Sequence, residues 1–197
     1  MKRLSLDRGA WLAIFVLALV PAAWLLRDAL YSALGPNPVE ALSHRTGDWT
    51  LRFLMLVLAI TPMRVLFGWS WPVRYRRMIG LFAFFYATLH FLTWLVIDEG
   101  LLWDAIVEDI YKRPFITVGF LAYLLLIPLA ATSSRMAMRR LGRRWKTLHR
   151  LVYLVAVLGV IHYLWLVKLD VREPLIYAVI LLFLLLVRLW YSMKRGR

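Results

Sequence analysis

The chain has 197 residues, 62% of them hydrophobic, 15% aromatic and 18% charged, with a net charge of +14. Soluble domains are roughly 45–50% apolar, so this composition excludes a soluble globular enzyme, a disordered chain and a nucleic-acid-binding domain; a basic chain this apolar belongs to a bilayer. Cysteine is absent. That excludes disulfides, thiolate zinc sites, cysteine-bound iron–sulfur clusters and cysteine nucleophiles, and leaves His, Met, carboxylates or backbone to hold any metal.

A membrane-spanning helix needs about 20 mostly apolar residues. The first such segment, Trp11–Leu26, has a basic start, an apolar core and then Pro21-Ala22-Ala23, as a signal peptide does. Its apolar run continues past that point, which favours an uncleaved first helix running through Arg27 and Asp28 toward Leu34. Asn37, Pro38 and Glu40 supply an N-cap, a proline at the first helical position and a capping-box glutamate. They predict a short helix that Gly47 ends before Asp48 caps the second span, Trp49–Phe67. The third span is Gly80–Ile97. Leu101–Tyr111 is too short and acidic to span. Its Trp103, Ile106, Val107 and Ile110 recur at helical spacing, with Asp104 and Glu108 four apart, which predicts an amphipathic helix on the outer interface. The remaining spans are Phe115–Ala131, Leu148–Val167 and Leu175–Tyr191. Pro62, Pro114, Pro128 and Pro174 fall at or near span ends, where a missing N–H costs least. The expected fold is all-α: one domain over residues 1–197, a six-span transmembrane bundle with short interfacial helices on the periplasmic side. No period of 20–50 residues marks a repeat architecture.

Charge orients this bundle. With the N-terminus inside, 18 of the 25 basic residues fall on cytoplasmic segments beside one acid, Asp7. The outer side holds Arg27, Arg45, Arg52, Lys112, Arg113, Lys168 and Arg172 against 10 of the 11 acids. The positive-inside rule then places both termini in the cytoplasm. The arginine runs read as topology signals and anionic-lipid contacts rather than a nucleic-acid patch. Trp11, Trp49, Trp69, Trp71, Trp103, Trp145 and Trp190 lie near span ends, as an interfacial aromatic belt does. Arg52 is expected to snorkel to the outer interface or to meet a cofactor carboxylate.

The four histidines carry the candidate chemistry. Ionisable residues inside a bilayer are costly and usually functional. His90 precedes Asp98 by about 12 Å of helix and His162 precedes Lys168 by about 9 Å, so both lie in the outer half of the membrane on helices that run the same way. Two imidazoles at one depth suit the axial positions of a low-spin haem built for electron transfer. His149 lies near the inner surface, about 20 Å from His162 and roughly 140° away around an ideal helix. At inner depth the third span offers Arg76 and Arg77 instead of a histidine. These stay protonated, and suit haem propionates, phosphate groups or lipid. His44 reads as a surface residue. No Gly-rich nucleotide loop, nucleophile elbow or zinc motif is present.

Taken in order, Arg76-Arg77-Met78-Ile79-Gly80-Leu81, Tyr86, His90, Lys112-Arg113-Pro114-Phe115-Ile116-Thr117-Val118-Gly119, Leu129-Ala130-Ala131-Thr132-Ser133, Trp145-Lys146-Thr147-Leu148-His149-Arg150-Leu151-Val152-Tyr153 and His162-Tyr163-Leu164-Trp165 resemble the haem-binding membrane subunits of bacterial periplasmic methionine-sulfoxide reductase systems. This is the MsrQ (YedZ) family of the ferric-reductase-like transmembrane superfamily. The likeness extends over nearly the whole chain. It implies b-type haem between the third and fifth spans with His90, His149 and His162 as ligands, and FMN as an associated cofactor. It implies electrons drawn from the quinone pool or a cytosolic flavin reductase and passed to a periplasmic molybdopterin enzyme that reduces methionine sulfoxide. The superfamily commonly has two histidines on each of the two helices, and this chain has Arg76 and Arg77 at one of those levels. Arg76, Arg77 and Arg150 are therefore candidates to hold anionic cofactor groups beside His149. Two other functions share parts of the pattern: a quinol-oxidising cytochrome of another pathway, and a small transporter or proton channel with a histidine relay.

Overall fold

A computed structural model describes residues 2–167 and 170–195, with side chains over residues 8–167 and 170–194. Lys168, Arg197 and the side chains of Lys2, Arg3, Asp7 and Arg195, used above for depth and charge, lie outside the described set. The helices in chain order are α1 (Lys2–Leu30), α2 (Pro38–Phe67), α3 (Arg76–Leu92), α4 (Trp103–Lys112), α5 (Pro114–Ala131), α6 (Arg135–Leu141), α7 (Arg143–His149), α8 (Leu151–Leu166) and α9 (Arg172–Arg195). A 3₁₀ turn, Trp71–Tyr75, leads into α3 and a π turn, Thr93–Asp98, follows it. No strand occurs among the described residues.

Six stretches are long and apolar enough to cross a membrane: Arg8–Leu30, Pro38–Phe67, Trp71–Asp98, Pro114–Ala131, Arg143–Leu166 and Arg172–Lys194. Six crossings return the chain to the side it left, so both termini share one end of the bundle, here the terminal end, and α4 lies toward the far end. Large apolar side chains such as Leu17, Leu30, Trp103, Val179 and Leu182 point outward, as a lipid-facing surface requires.

The core lies around α2. Leu51, Phe53, Leu54 and Leu58 pack with Phe82, Ala83, Tyr86, Val155 and Ala156 from α3 and α8. Lipid tails are as apolar as leucine, so close backbone approach at small residues drives such packing. At Gly159 on α8 an added Cβ would stand 3.2 Å from Leu51 Cδ2. Tyr86, fully buried, ties α1 to α3. Its hydroxyl donates to Ala18 O (2.8 Å) and accepts from Ala22 N (3.1 Å), beside the intrahelical Pro21. A side chain has entered the α1 hydrogen-bond ladder where a proline already lacks its N–H.

Asn37 caps α2, with its Oδ1 accepting from Glu40 N (3.3 Å), and Pro38 opens the helix. The Glu40 carboxylate accepts from the Asn37 side chain (2.8 Å) rather than from backbone, a side-chain version of the capping box. The expected stop at Gly47 does not occur, for α2 continues unbroken through Gly47 and Asp48 to Phe67. A mid-helix glycine costs about 1 kcal/mol, which tertiary packing overrides, and the missing side chain serves the site described next. In the fifth span only Arg150, itself helical in φ and ψ, separates α7 from α8, and Arg143–Leu166 runs as one apolar stretch. The Arg135–Leu141 helix, capped by Ser134 (3.0 Å), was not expected. On α4, Ile106 and Asp109 are buried while Trp103 and Val107 are exposed.

Candidate functional site

His90 near the end of α3 and His162 near the end of α8 come together, with ring centres 6.0 Å apart and planes at 79°. Each is fixed by a helix on its other side. His90 Nδ1 lies 2.9 Å from the Ser43 carbonyl of α2, and His162 Nδ1 lies 2.6 Å from the Phe115 carbonyl of α5. A carbonyl only accepts, so both Nδ1 atoms carry the proton and both Nε2 atoms keep a lone pair. That is the tautomer of a metal-ligating imidazole oriented through its other nitrogen. Thr46 Oγ1, which donates to Leu42 O at 2.6 Å, also lies 3.4 Å from His90 Nδ1.

The two halves are built alike. In a helix the side chain at i+4 covers the carbonyl of residue i, and in both halves that position is glycine: Gly47 over Ser43 and Gly119 over Phe115. An added Cβ at Gly119 would stand 2.6 Å from His162 Nδ1, and at Gly47 3.3 Å from His90 Cε1. Each histidine bonds a carbonyl 47 residues earlier in the chain. Ser43, Gly47 and His90 each lie 72 residues before Phe115, Gly119 and His162, a match longer than the periods sought in the sequence. At the same offset Arg77 corresponds to His149.

The rings line a cavity of about 420 Å³, within the range of cofactor pockets. Its walls include Leu51, Leu54, Phe91, Leu126 and Val155, and toward the far end Asn37, His44, Asp98 and Arg113. Metal–imidazole bonds run about 2 Å, so two rings sharing one metal ion have centres roughly 6 Å apart once ring radii are added. The spacing, the free Nε2 atoms and the glycine-lined walls fit a bis-imidazole haem. No cluster of three or more His or carboxylate ligands occurs among the described residues, and a haem needs only the two.

His149 lies elsewhere, at the terminal end. Its Nε2 is 3.0 Å from Thr132 Oγ1, and its ring stacks on Trp145 with centres 4.0 Å apart. Thr132 Oγ1 donates to Pro128 O (2.6 Å), and Trp145 Nε1 donates to Thr132 O (3.0 Å). Trp145 therefore holds α7 to the end of α5. Arg77 and Arg150 are exposed, while Arg76 is half-buried and donates to Thr61 Oγ1 (2.6 Å). His44 is partly exposed, 3.9 Å from Glu40. Arg52 stacks over Trp49 at 4.8 Å and donates to Tyr177 OH (3.3 Å). The sequence pointed to no part in the site for Ser43, Gly47 or Thr132; Gly47 read as a helix stop. A glycine four residues after an exposed carbonyl, twice at one offset from a histidine, is the signal that points to the first two.

A six-span bundle with paired histidines between α3 and α8 defines a ferric-reductase-like membrane protein, and residues 46–160 match the family described as "Ferric reductase like transmembrane component". Over 192 residues the chain is 52% identical to the "Protein-methionine-sulfoxide reductase heme-binding subunit MsrQ" of Rhodospirillum rubrum, covering 97% of this chain and 92% of that one. The proteins of the same name from Herminiimonas arsenicoxydans and Azospira oryzae are 50% and 54% identical, over 93% and 88% of this chain and 86% and 75% of theirs. The chain belongs to the MsrQ family. No solved structure matches it.

Proposed function

We propose that this chain conducts electrons across the bacterial inner membrane by way of one b-type haem that His90 and His162 would hold. The donor is the quinone pool or a cytosolic flavin reductase, and the acceptor is a periplasmic molybdopterin enzyme that reduces methionine sulfoxide. The observation that carries this reading is the pair of carbonyl-anchored imidazoles 6.0 Å apart in an apolar cavity, in a chain whose relatives are named haem-binding subunits. When bound, the haem supplies a one-electron couple. The chain's own parts do the rest. Ser43 O and Phe115 O hold the ring tautomers, Gly47 and Gly119 leave room for the rings, and the apolar walls exclude water. His90 and His162 would hold the haem from two helices, an arrangement that would suit electron transfer over oxygen chemistry.

The terminal end is the cytoplasmic one in this reading, because the 18 basic residues counted above belong to it. His149 then stands at the inner level with Arg76, Arg77 and Arg150, where electrons from a quinol or flavin reductase arrive. The basic side chains suit the propionates of a second haem or the phosphate of FMN.

The test is a dithionite-reduced absorption spectrum with a haem-to-protein ratio, on the wild type and on His90→Ala and His162→Ala. A low-spin b-type spectrum lost in both variants is expected. Unchanged haem content and spectra in both overturns the assignment.

A further inference from the structure

Away from the histidine cavity, the terminal half of the bundle holds two cations among apolar side chains. Arg76 opens α3, and Arg188 lies two turns before the end of α9. Arg76 Nη2 donates to Thr61 Oγ1 (2.6 Å), Arg188 Nη1 to Tyr153 OH (2.8 Å) and Arg188 Nη2 to Leu58 O (2.6 Å). Every one of these acceptors is neutral. Thr61 and Leu58 lie three residues apart on α2, so the two guanidiniums, from α3 and α9, bond to one turn of the same helix. Among the described residues neither arginine has a carboxylate partner, and the Nε–H of each is buried with no acceptor.

A like-charged pair inside a bilayer with unused donors is poorly compensated. The unpartnered Nε–H of each guanidinium belongs to the edge with which arginine binds oxyanions. Two guanidiniums reaching in from different helices suit a phosphate group, whose oxygens are spread tetrahedrally and can face both. Neither arginine lines the 420 Å³ cavity, so the group they address is separate from that cavity's occupant. Leu186, Leu189 and Trp190 beside Arg188 are exposed, so the surface next to the pair is apolar, as a lipid-facing surface is.

We propose that Arg76 and Arg188 form an intramembrane anion site for a phosphate group, carried by an anionic phospholipid of the adjoining leaflet or by a soluble phosphate-bearing molecule. The site stands apart from the His90–His162 haem and does not rest on it; it deepens the reading of Arg76 given above by pairing it with Arg188.

The full chain is placed in nanodiscs of phosphatidylcholine alone or of phosphatidylcholine with phosphatidylglycerol. The thermal midpoint is followed against phosphatidylglycerol content, and against inorganic phosphate with chloride at matched ionic strength. Wild type is expected to be stabilised. A response to phosphatidylglycerol identifies the lipid source, and a response to inorganic phosphate in neutral discs identifies the soluble one. Arg76→Gln and Arg188→Gln should weaken the apparent affinity about tenfold, as loss of one charge-assisted fork does, while the exposed Arg139→Gln behaves as wild type. Should Arg188→Gln fail to fold, Arg188→Lys keeps the charge without the fork and should show the same weakening. A wild type indifferent to both anions, or site variants that respond as Arg139→Gln does, overturns the site. Haem absorbance in the same discs is a separate readout: haem lost from the arginine variants with the anion response intact also overturns the site, and haem absent throughout bears only on the histidine assignment.

Discussion

At Gly119 one methyl group would stand 2.6 Å from His162 Nδ1, closer than real side chains approach. Gly119→Ala is expected to push the imidazole off the Phe115 carbonyl and to remove most of the low-spin haem signal, read by absorption in purified protein. At Gly47 the corresponding contact is 3.3 Å to His90 Cε1, which a shift of a few tenths of an ångström relieves, so Gly47→Ala should keep most of the signal. Equal loss in both variants would contradict the difference in contact distance. His149 makes a different prediction. Because it lies outside the cavity lining, His149→Ala should leave most of the haem at His90 and His162 bound but slow its reduction by quinol or flavin reductase. Stopped-flow rates equal to wild type with both donors would remove His149 from the electron path.

Elements are held together by a small number of buried polar contacts. Tyr86 joins α3 to α1 through two backbone groups next to Pro21, so Tyr86→Phe strips the inserted hydroxyl from both. Leaving a buried backbone group unsatisfied costs about 1–3 kcal/mol, and the expected loss of stability on detergent-denaturant titration is of that order. It should be accompanied by faster proteolysis in the segment between α1 and α2. The link between the π turn and α4 is electrostatic. Asp109 is buried, accepts from Trp94 Nε1 (3.1 Å) and pairs with Arg113 (2.9 Å). Burial raises the Glu99 carboxyl above the usual glutamate range, as do its hydrogen bond to Asp109 and the charges of Asp109 and Asp98, against a lowering by Arg113. The folded state then binds a proton that the unfolded state has released, so stability falls as pH rises through the window between the ordinary and the raised value. Glu99→Gln should flatten that decline in thermal midpoint against pH, and an unchanged slope would exclude Glu99 as its source.

For the whole molecule, topology is the property that charge and hydropathy address together. A reporter fused after Arg197 should behave as cytosolic and one fused after Glu108 as periplasmic. A periplasmic reporter after Arg197 would reverse the bundle and exchange the ends assigned to His149 and to the histidine pair. The 72-residue offset between the two histidine-bearing halves adds a constraint on shape. It relates α2 and α3 to α5 and the α7–α8 segment by a common direction of travel, so each half contributes one carbonyl, one glycine and one imidazole to the cavity. The correspondence stops at the terminal end, where Arg77 stands opposite His149, and there the two halves have separate chemistries.

Six spans, the Asn37 cap and the α4 helix were legible in the amino-acid order, because hydrophobic length, charge asymmetry and capping chemistry act over one or two turns and need no partner. The common depth of His90 and His162 was legible for the same reason, since rise per residue converts position into height. Orientation around the helix axis is a different matter. Gly47 looked like a helix stop because local propensity disfavours it, yet α2 passes through it, since the opening over the Ser43 carbonyl has value only when a ring from α3 arrives. The Thr132–His149–Trp145 contact and the bonds of Arg76 and Arg188 to one turn of α2 likewise depend on helices far apart in the chain. Periodicity tells how far along the membrane normal a side chain sits. Which neighbour it meets, and whether its donors find acceptors, is decided only when the helices pack.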